Sequence, residues 1–421
     1  MSGPMLLGAI ADDLTGAVEL AGMLAAGGMP VALVLDDAPV PRGLGAVVVA
    51  LPSRVAAVEE ARAGFARAAD ALLAAGAERL FFKYCATFDS TPEGNIGPCA
   101  DLLMDRVGAD FTIFAPTFPE VERRVFMGHL FVGAQLVSNS PKRFDPLTPM
   151  TEPDLVKVLA PQTRRRVGLI PLHVTAQGAE AVGRQVAALR ADGVSYAIAD
   201  AGTEEDLATL ARASWDWRLT TGGSNLAAHF PAIWRERGLL PSAEAVPPLR
   251  AGGHGAVLAG SCSDRTREQV EHFAARHPVL RIELAQMESP EAVLRNAVAW
   301  ALPLLESGPI CVTTAGDPEA VSAAQSRLGR DGAARAAEGL LGTLAVALVG
   351  AGVRRLLVAG GESSGAVIRA LGITRLSVAP YVSPGIGVCA AEAPVPLALC
   401  LKSGKLGPVD MFETVLERMR A

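Results

Sequence analysis

Two adjacent carboxylates, Asp12 and Asp13, close the apolar run that opens LLGAIADDLTGAVELAG, and a helical pattern follows them at once. Ligands of open α/β sheets collect beyond the carboxyl ends of the strands, so acids at such a junction face substrate. There a carboxylate can take a proton from a hydroxyl or hold a cation. A plainer role is helix capping, for which Asp13 or Thr15 suffices. One cap needs one residue, and this stretch supplies two acids, Thr15 and Gly16, which favours a site role for at least one of the pair.

A second dense stretch, FFKYCATFDSTPEGNIGP, sets Lys83, Asp89, Ser90, Thr91 and Asn95 around a strand end, with Gly94 and Gly97 permitting close backbone approach. A lysine among hydroxyls and an amide suits an oxygen-rich anion such as a sugar acid. The same residues would serve a long turn into a helix near Ile96, with Asp89 as an Asx-turn residue. Arg54, in LPSR beyond another strand end, tips the balance towards a convergent site, because a guanidinium clamps a carboxylate through two parallel hydrogen bonds. In the second half, LLVAGGESSGAVIRALG runs a strand into Gly360 and Gly361, a polar triplet, Gly365 and a helix. Bare N–H groups at a helix N-terminus bind anions. AGSCSDRTREQ, SPGIG and LKSGKLG are further small glycine-containing loops at strand ends; converging, they would line a phosphate cleft, and apart they are ordinary βα loops. TTGGSNLAAHF repeats the glycine-then-helix arrangement. Neither a P-loop nor a dinucleotide fingerprint is present. His129 and His173, in apolar context, read more readily as hydrogen-bonded core residues. No His, Cys and carboxylate set has the spacing of a resident metal site, so none is expected.

Positioning such loops takes parallel sheets, and apolar strand-like runs do alternate with helical periods along nearly the whole chain. MLLGAIA precedes a helix near 15–26; VALVL and GAVVVAL precede one over about 55–75; RLFFKY, FTIFAP, RVGLI and YAIAD follow as strands. GLLPSAEAVPPLRAGGHG, rich in Pro, Gly and Ala, has neither periodicity and marks a surface crossing. After it come GAVLAG, VLRIEL, PICVTT, RRLLVAG, LSVAP and PLALCLKSG, interleaved with helices. The expectation is an α/β protein of two domains, 1–238 and 255–421 with a linker at 239–254, each a largely parallel sheet flanked by helices, and an active site in the cleft between them. At 421 residues, half of them apolar, the chain has ample core for that. Its net charge is −6 and its longest basic run is Arg164, Arg165 and Arg166, so nucleic acid is not expected as a partner. No apolar run reaches the ~20 residues of a membrane span, no export signal opens the chain, and six scattered cysteines suit a reducing cytoplasm.

Together these blocks resemble the four-carbon acid sugar kinase family. IADDLTGA is similar to the family's opening signature, AGGESSG and KSGKLG to its C-terminal ones, and the likeness keeps motif order along essentially the entire chain. KYCATFDSTPEGNIGP, HLFVG and GSCS resemble the branch acting on 3-oxo-tetronates; the neighbouring branch acts on D-threonate or D-erythronate. Ser363 stands where the family often has threonine, which keeps the hydroxyl. The resemblance implies an N-terminal sugar-acid-binding domain, a C-terminal nucleotide-binding domain, and ATP-dependent phosphorylation of a C4 hydroxyl with magnesium accompanying the nucleotide. It places Ser261, Ser263, Gly360, Gly361, Glu362, Ser363 and Gly404 at the nucleotide. With it, residue chemistry casts Asp12 and Asp13 as the catalytic carboxylates, one or other accepting the hydroxyl proton or holding the metal, and Arg54, Lys83, Asp89, Ser90 and Asn95 as acceptor-binding groups. A small sugar acid and ATP are the expected partners, without nucleic acid or membrane; a homodimer is compatible. A hinge in 238–255 would close acceptor on donor. The competing classes are a nicotinamide-dependent sugar-acid dehydrogenase, which lacks its glycine fingerprint here, and a non-catalytic sugar-acid sensor, which needs no phosphate loops.

Overall fold

The computed structural model of the chain describes residues 4–145, 147–241, 249–287, 289–392 and 395–421. It divides into two compact units, Met1–Val246 and Pro247–Ala421. Positions 242–248, the middle of the expected linker and hinge, lie outside the described residues.

The first unit carries strands β1 (Leu7–Ala11), β2 (Val31–Leu35), β3 (Ala46–Ala50), β4 (Leu80–Lys83), β5 (Thr112–Ala115), β6 (Arg123–Phe126), β7 (His129–Val132), β8 (Gln135–Leu136), β9 (Arg166–Ile170), β10 (Val194–Ala199) and β11 (Leu219–Gly222). All but β6, β7 and β8 form one sheet in the order β2, β3, β1, β4, β11, β5, β10, β9, and each pairing in it is parallel. Such a sheet is covered by helices on both faces, so its strands are apolar throughout instead of alternating. LGAIA in β1 and AVVVA in β3 are buried at every position. From β1 the chain builds β2 and β3 on one side, then crosses to β4 on the other. The carboxyl end of β1 therefore sits where the strand order reverses, the usual ligand position of an open α/β sheet. Ala11 lies opposite Ala50 of β3 and Lys83 of β4, which puts the loops opening at Asp12, Leu51 and Tyr84 side by side. One face of this sheet packs Phe65, Phe82, Tyr84, Phe88, Leu103 and Phe114 into the main core.

The segment joining β5 to β9 forms a small antiparallel sheet of β6, β7 and β8, which the βα periodicity does not foreshadow. Asp200, fully buried, accepts backbone N–H groups of Met127, Gly128 and Leu172 and ties that sheet to the end of β10.

The second unit carries β12 (His254–Ala259), β13 (Val279–Arg281), β14 (Ile310–Thr313), β15 (Val353–Ala359), β16 (Arg375–Val378), β17 (Ile386–Ala391) and β18 (Leu397–Lys402). Its strand order is β13, β14, β12, β15, β18, β17, β16. The pairings from β13 to β18 are parallel, and β17 runs antiparallel to both neighbours. Reversal of β17 has a consequence: Ile386, at its amino end, pairs with Lys402 at the carboxyl end of β18, so the SPGIG turn arrives at the same edge as the strand-end loops. Val257, Leu357, Cys400, Phe273, Phe412 and Met411 belong to the core on one face of this sheet. The helix Arg330–Gly350 is long and apolar enough to cross a membrane by length and composition; in this fold it packs against the helices Pro290–Leu305, Pro318–Leu328 and Gly361–Ala370. All six cysteines are free thiols.

Candidate active site

In the first unit the site begins with Asp13, whose side chain accepts the Gly16 N–H at 3.0 Å and so caps the helix Leu14–Ala26. Thr15 Oγ1 donates to its other oxygen at 2.6 Å. Capping is thus Asp13's local role, and it does not exhaust the residue. Arg54 Nη2 also donates to Asp13 Oδ1 at 2.6 Å, while Arg54 Nε and Nη2 grip the two oxygens of Asp12 at 3.0 and 2.8 Å. The backbone braces the same junction: the N–H groups of Ser53 and Arg54 donate to the Asp12 carbonyl, and the Asp12 N–H to that of Lys83. Arg54 therefore does clamp a carboxylate through two hydrogen bonds, and that carboxylate is Asp12's. Its Nη1 makes no hydrogen bond among the described residues.

The two acids differ in state. Burial pushes Asp12 above the usual carboxylate range in spite of Arg54. Burial acts upward on Asp13 as well, but Arg54, Lys83 and the bonds from Thr15 and Gly16 outweigh it and hold Asp13 at about 2. Two neighbouring groups driven apart in this way are suited to different tasks. Asp12 is the more basic, and each of its oxygens keeps an acceptor position beyond its one bond to Arg54.

Lys83 is only 4% exposed. Its ammonium has no hydrogen bond or ion pair among the described residues, although Asp13, Asp12 and Glu19 hold it protonated against the effect of burial. It lies over the first turn of the helix Leu14–Ala26, where a Cβ on Gly16 would come within 2.3 Å of Nζ, so Gly16 leaves room for the lysine. Glu19, raised by burial, accepts a hydrogen bond from Ser224 Oγ at 2.7 Å, bringing the TTGGSN turn after β11 against this helix.

The other expected acceptor-site residues are placed differently. Asp89 accepts Thr87 Oγ1 at 2.6 Å and pairs with Lys142 at 2.7 Å; Thr87 also contacts Cys85 Sγ at 2.9 Å. Burial raises the Cys85 thiol, with Asp89 adding to it, and Arg54, Lys83 and Lys142 all act on that thiol in the opposite sense. Ser90 accepts from Gln162 Nε2 at 2.9 Å, deep beneath the loop. Asn95 donates to the carbonyls of Ser53 and Ala56 at 2.7 and 3.1 Å. Asn95 and Ser90 thus shape the loop that carries Arg54 and the loop that follows Lys83. Glu19, Thr87 and Lys142 belong to this environment without having been foreseen. Thr87 was available from its position within the second dense stretch; Lys142 lies 53 residues from Asp89 in a stretch with no motif.

In the second unit, Ala259 pairs with Ala359 and Ala359 with Lys402, so the loops after β12, β15 and β18 emerge next to one another. Gly360, at φ +129°, precedes the helix Gly361–Ala370 and gives it no side-chain cap. Orphan N–H groups at that helix start are an anion site. Glycine keeps the space around it clear: a Cβ on Gly260 would run into Ser363 Oγ, and one on Gly404 into Ser261 Oγ, so either serine would have to move. At Gly361 a Cβ would meet nothing within 4 Å, which leaves open space directly over the helix start. Ser263 caps the helix Asp264–Ala274 and donates to the Gly404 carbonyl at 2.5 Å. The structure thus brings Ser261, Ser263, Gly360, Ser363 and Gly404 together, with Gly361 and Glu362 on the first turn beside them. Lys402, fully buried at the end of β18, was overlooked although it stands within the quoted LKSGKLG.

Each unit matches a family of its own. Residues 7–230 match a sugar-binding N-terminal domain family and residues 256–412 a nucleotide-binding C-terminal domain family. A 3-oxo-tetronate kinase of Pseudomonas fluorescens is 44% identical over 98% of this chain and 97% of its own length. One from Cupriavidus necator is 43% identical over the same shares. Among solved structures, a Salmonella typhimurium LT2 protein described as a candidate tRNA synthase superposes with a TM-score of 0.88 at 34% identity, over 97% of this chain and 98% of that one. A Haemophilus influenzae protein gives 0.79 at 34% identity, over 98% and 100%.

Proposed function

The chain belongs to the four-carbon acid sugar kinase family, and from that premise we propose that it phosphorylates 3-oxo-tetronate at the C4 hydroxyl, with ATP as donor. The observation that carries the chemistry is the cluster at the carboxyl end of β1, where a basic, buried Asp12 stands near the Lys83 ammonium, which Asp13, Asp12 and Glu19 keep charged and which makes no direct ion pair among the described residues.

Phosphoryl transfer needs positioning and charge neutralisation more than covalent help from the protein. Asp12 accepts the proton of the C4 hydroxyl as its oxygen attacks the γ-phosphorus; the new O–P bond forms as the bond to the β-phosphate oxygen breaks, and ADP leaves with that electron pair. Asp13 caps the helix and, with Asp12, fixes Arg54. Lys83 and the free Nη1 of Arg54 bind the acceptor carboxylate, and Asp89 with Lys142 borders the same loop. On the second unit the uncapped helix start at Gly361 and Glu362 receives phosphate oxygens, flanked by Ser261, Ser263, Ser363 and Gly404. No group of three or more His, Cys, Asp or Glu among the described residues could enclose a metal. Magnesium would accompany the nucleotide, with Asp12 or Asp13 as the carboxylate able to help hold it, and would supply charge neutralisation there.

The test is a coupled ADP-release assay over a panel of four-carbon sugar acids: 3-oxo-tetronates, D-threonate and D-erythronate. Turnover led by the 3-oxo acids is expected. Preference for threonate or erythronate would move the chain to the neighbouring branch, and no ADP release with any of them would end the proposal.

A further inference from the structure

We infer that Lys402 is a positioning residue for the nucleotide: from beneath, its ammonium turns two successive peptide units of the 403–405 turn so that their N–H groups face outward as a phosphate-binding nest. This rests on the kinase reading above and extends it to a residue that touches no ligand.

Lys402 is the last residue of β18 and is fully buried. Its three N–H donors have three acceptors: Thr266 Oγ1 at 3.1 Å, the Ser403 carbonyl at 2.8 Å and the Gly404 carbonyl at 2.9 Å. The Gly404 carbonyl also accepts Ser263 Oγ at 2.5 Å and Thr266 Oγ1 at 2.8 Å. Three donors on one oxygen leave that peptide no freedom to rotate. In a planar trans peptide the N–H points opposite to the C=O. With the carbonyls of 403 and 404 both drawn inward, the N–H groups of Gly404 and Lys405 face away from the buried ammonium, and neither donates to any group among the described residues. Consecutive outward N–H groups form an anion-binding concavity, here beside the Ser261 hydroxyl, which occupies the space a Cβ on Gly404 would need.

A hydrophobic residue at 402 could fill the volume and keep the fold, but it would release both carbonyls. The ionised form is the one that matters, since a neutral amine has only two N–H groups for three acceptors. Burial lowers Lys402 to about 8, with Arg265 adding to the fall; the nearby Cys400 thiol, pushed up to about 12 by its own burial, is neutral in that range and does not offset it. Arg265 and Cys400 are the charged and titratable groups near it.

The experiment is ATP binding by calorimetry for wild type, K402M and K402Q, with sugar-acid KM and thermal melting measured alongside. Expected are at least tenfold weaker ATP binding in K402M, an intermediate loss in K402Q, and sugar-acid KM within twofold of wild type in both. Wild-type ATP affinity should weaken as pH rises through about 8, and K402Q should lose that inflection. A folded K402M that binds ATP within twofold of wild type overturns the inference. Should K402M fail to fold, a wild-type profile without an inflection between pH 7 and 9.5, or one that K402Q retains, overturns it equally. Wild type that binds no ATP at any pH removes the kinase reading itself, a result distinct from these.

Discussion

Replacing each of the paired acids by its amide separates their roles. Asp12→Asn keeps the volume and removes the base. It also sets an amide N–H₂ against one of the Arg54 donors now at 2.8 and 3.0 Å from the carboxylate. A positioned general base is worth about 10²–10⁴ in rate, or roughly 3–5.5 kcal/mol of barrier. Arg54 remains anchored to Asp13, so the cost in stability should stay below the about 3–5 kcal/mol of fully stripping a buried ion pair. Asp13→Asn is milder, because asparagine caps helices about as well as aspartate. It keeps an acceptor for the Gly16 N–H, and Thr15 can turn its hydroxyl to accept from the new amide. Initial rates at saturating 3-oxo-tetronate and ATP, at 25 °C, are expected to fall about 10²–10⁴-fold for Asp12→Asn and less than about tenfold for Asp13→Asn, with circular-dichroism melts confirming that both fold. Equal, near-wild-type rates would eliminate the paired-acid mechanism; a silent Asp12→Asn with a dead Asp13→Asn would reverse the assignment.

Three further outcomes are expected. Gly361→Leu projects into open space, so its melting temperature should stay within about 2 °C of wild type while ATP KM rises; unchanged ATP KM would remove phosphate from that helix start. Asn95→Ala leaves the carbonyls of Ser53 and Ala56 without their side-chain donor and should cost about 1–3 kcal/mol in denaturant unfolding, with acceptor kcat/KM falling as the Arg54 loop loosens. Asp13, held at about 2 against an ordinary 3.8, contributes stability that is present above pH 3.8 and lost as pH falls through about 2. Wild type should lose on the order of 2 kcal/mol across that window, and an Asp13→Asn variant that lost the same amount would place the acid sensitivity elsewhere.

The strands of both units were legible because parallel strands buried on two faces read as unbroken apolar runs, and VALVL, GAVVVAL and RRLLVAG carry that mark. β17 was not: in IGVCAA only Cys389 and Ala391 are buried, and the glycines of SPGIG read as a loop. The β6 to β8 sheet interrupts the βα rhythm with short, half-exposed segments. Asp12, Asp13, Arg54 and Lys83 could be picked out as strand-end residues, but not that Arg54 would grip Asp12. That contact spans 42 residues and follows from β1 lying between β3 and β4, an order that local pattern does not encode. The same gap hid Lys142. Asn95 and Ser90 had the right chemistry for a ligand, yet loop backbone and Gln162 engage their side chains. Lys402 was missed for another reason, since nothing local distinguishes a lysine at the end of an apolar strand as buried.

The most direct measurement is the structure of the product. After incubation with ATP and 3-oxo-tetronate, phosphorus–proton correlation NMR should show one new phosphomonoester coupled to the C4 methylene protons, formed together with ADP. A phosphate on any other carbon, or ATP consumed with no phosphorylated acid, would contradict the account.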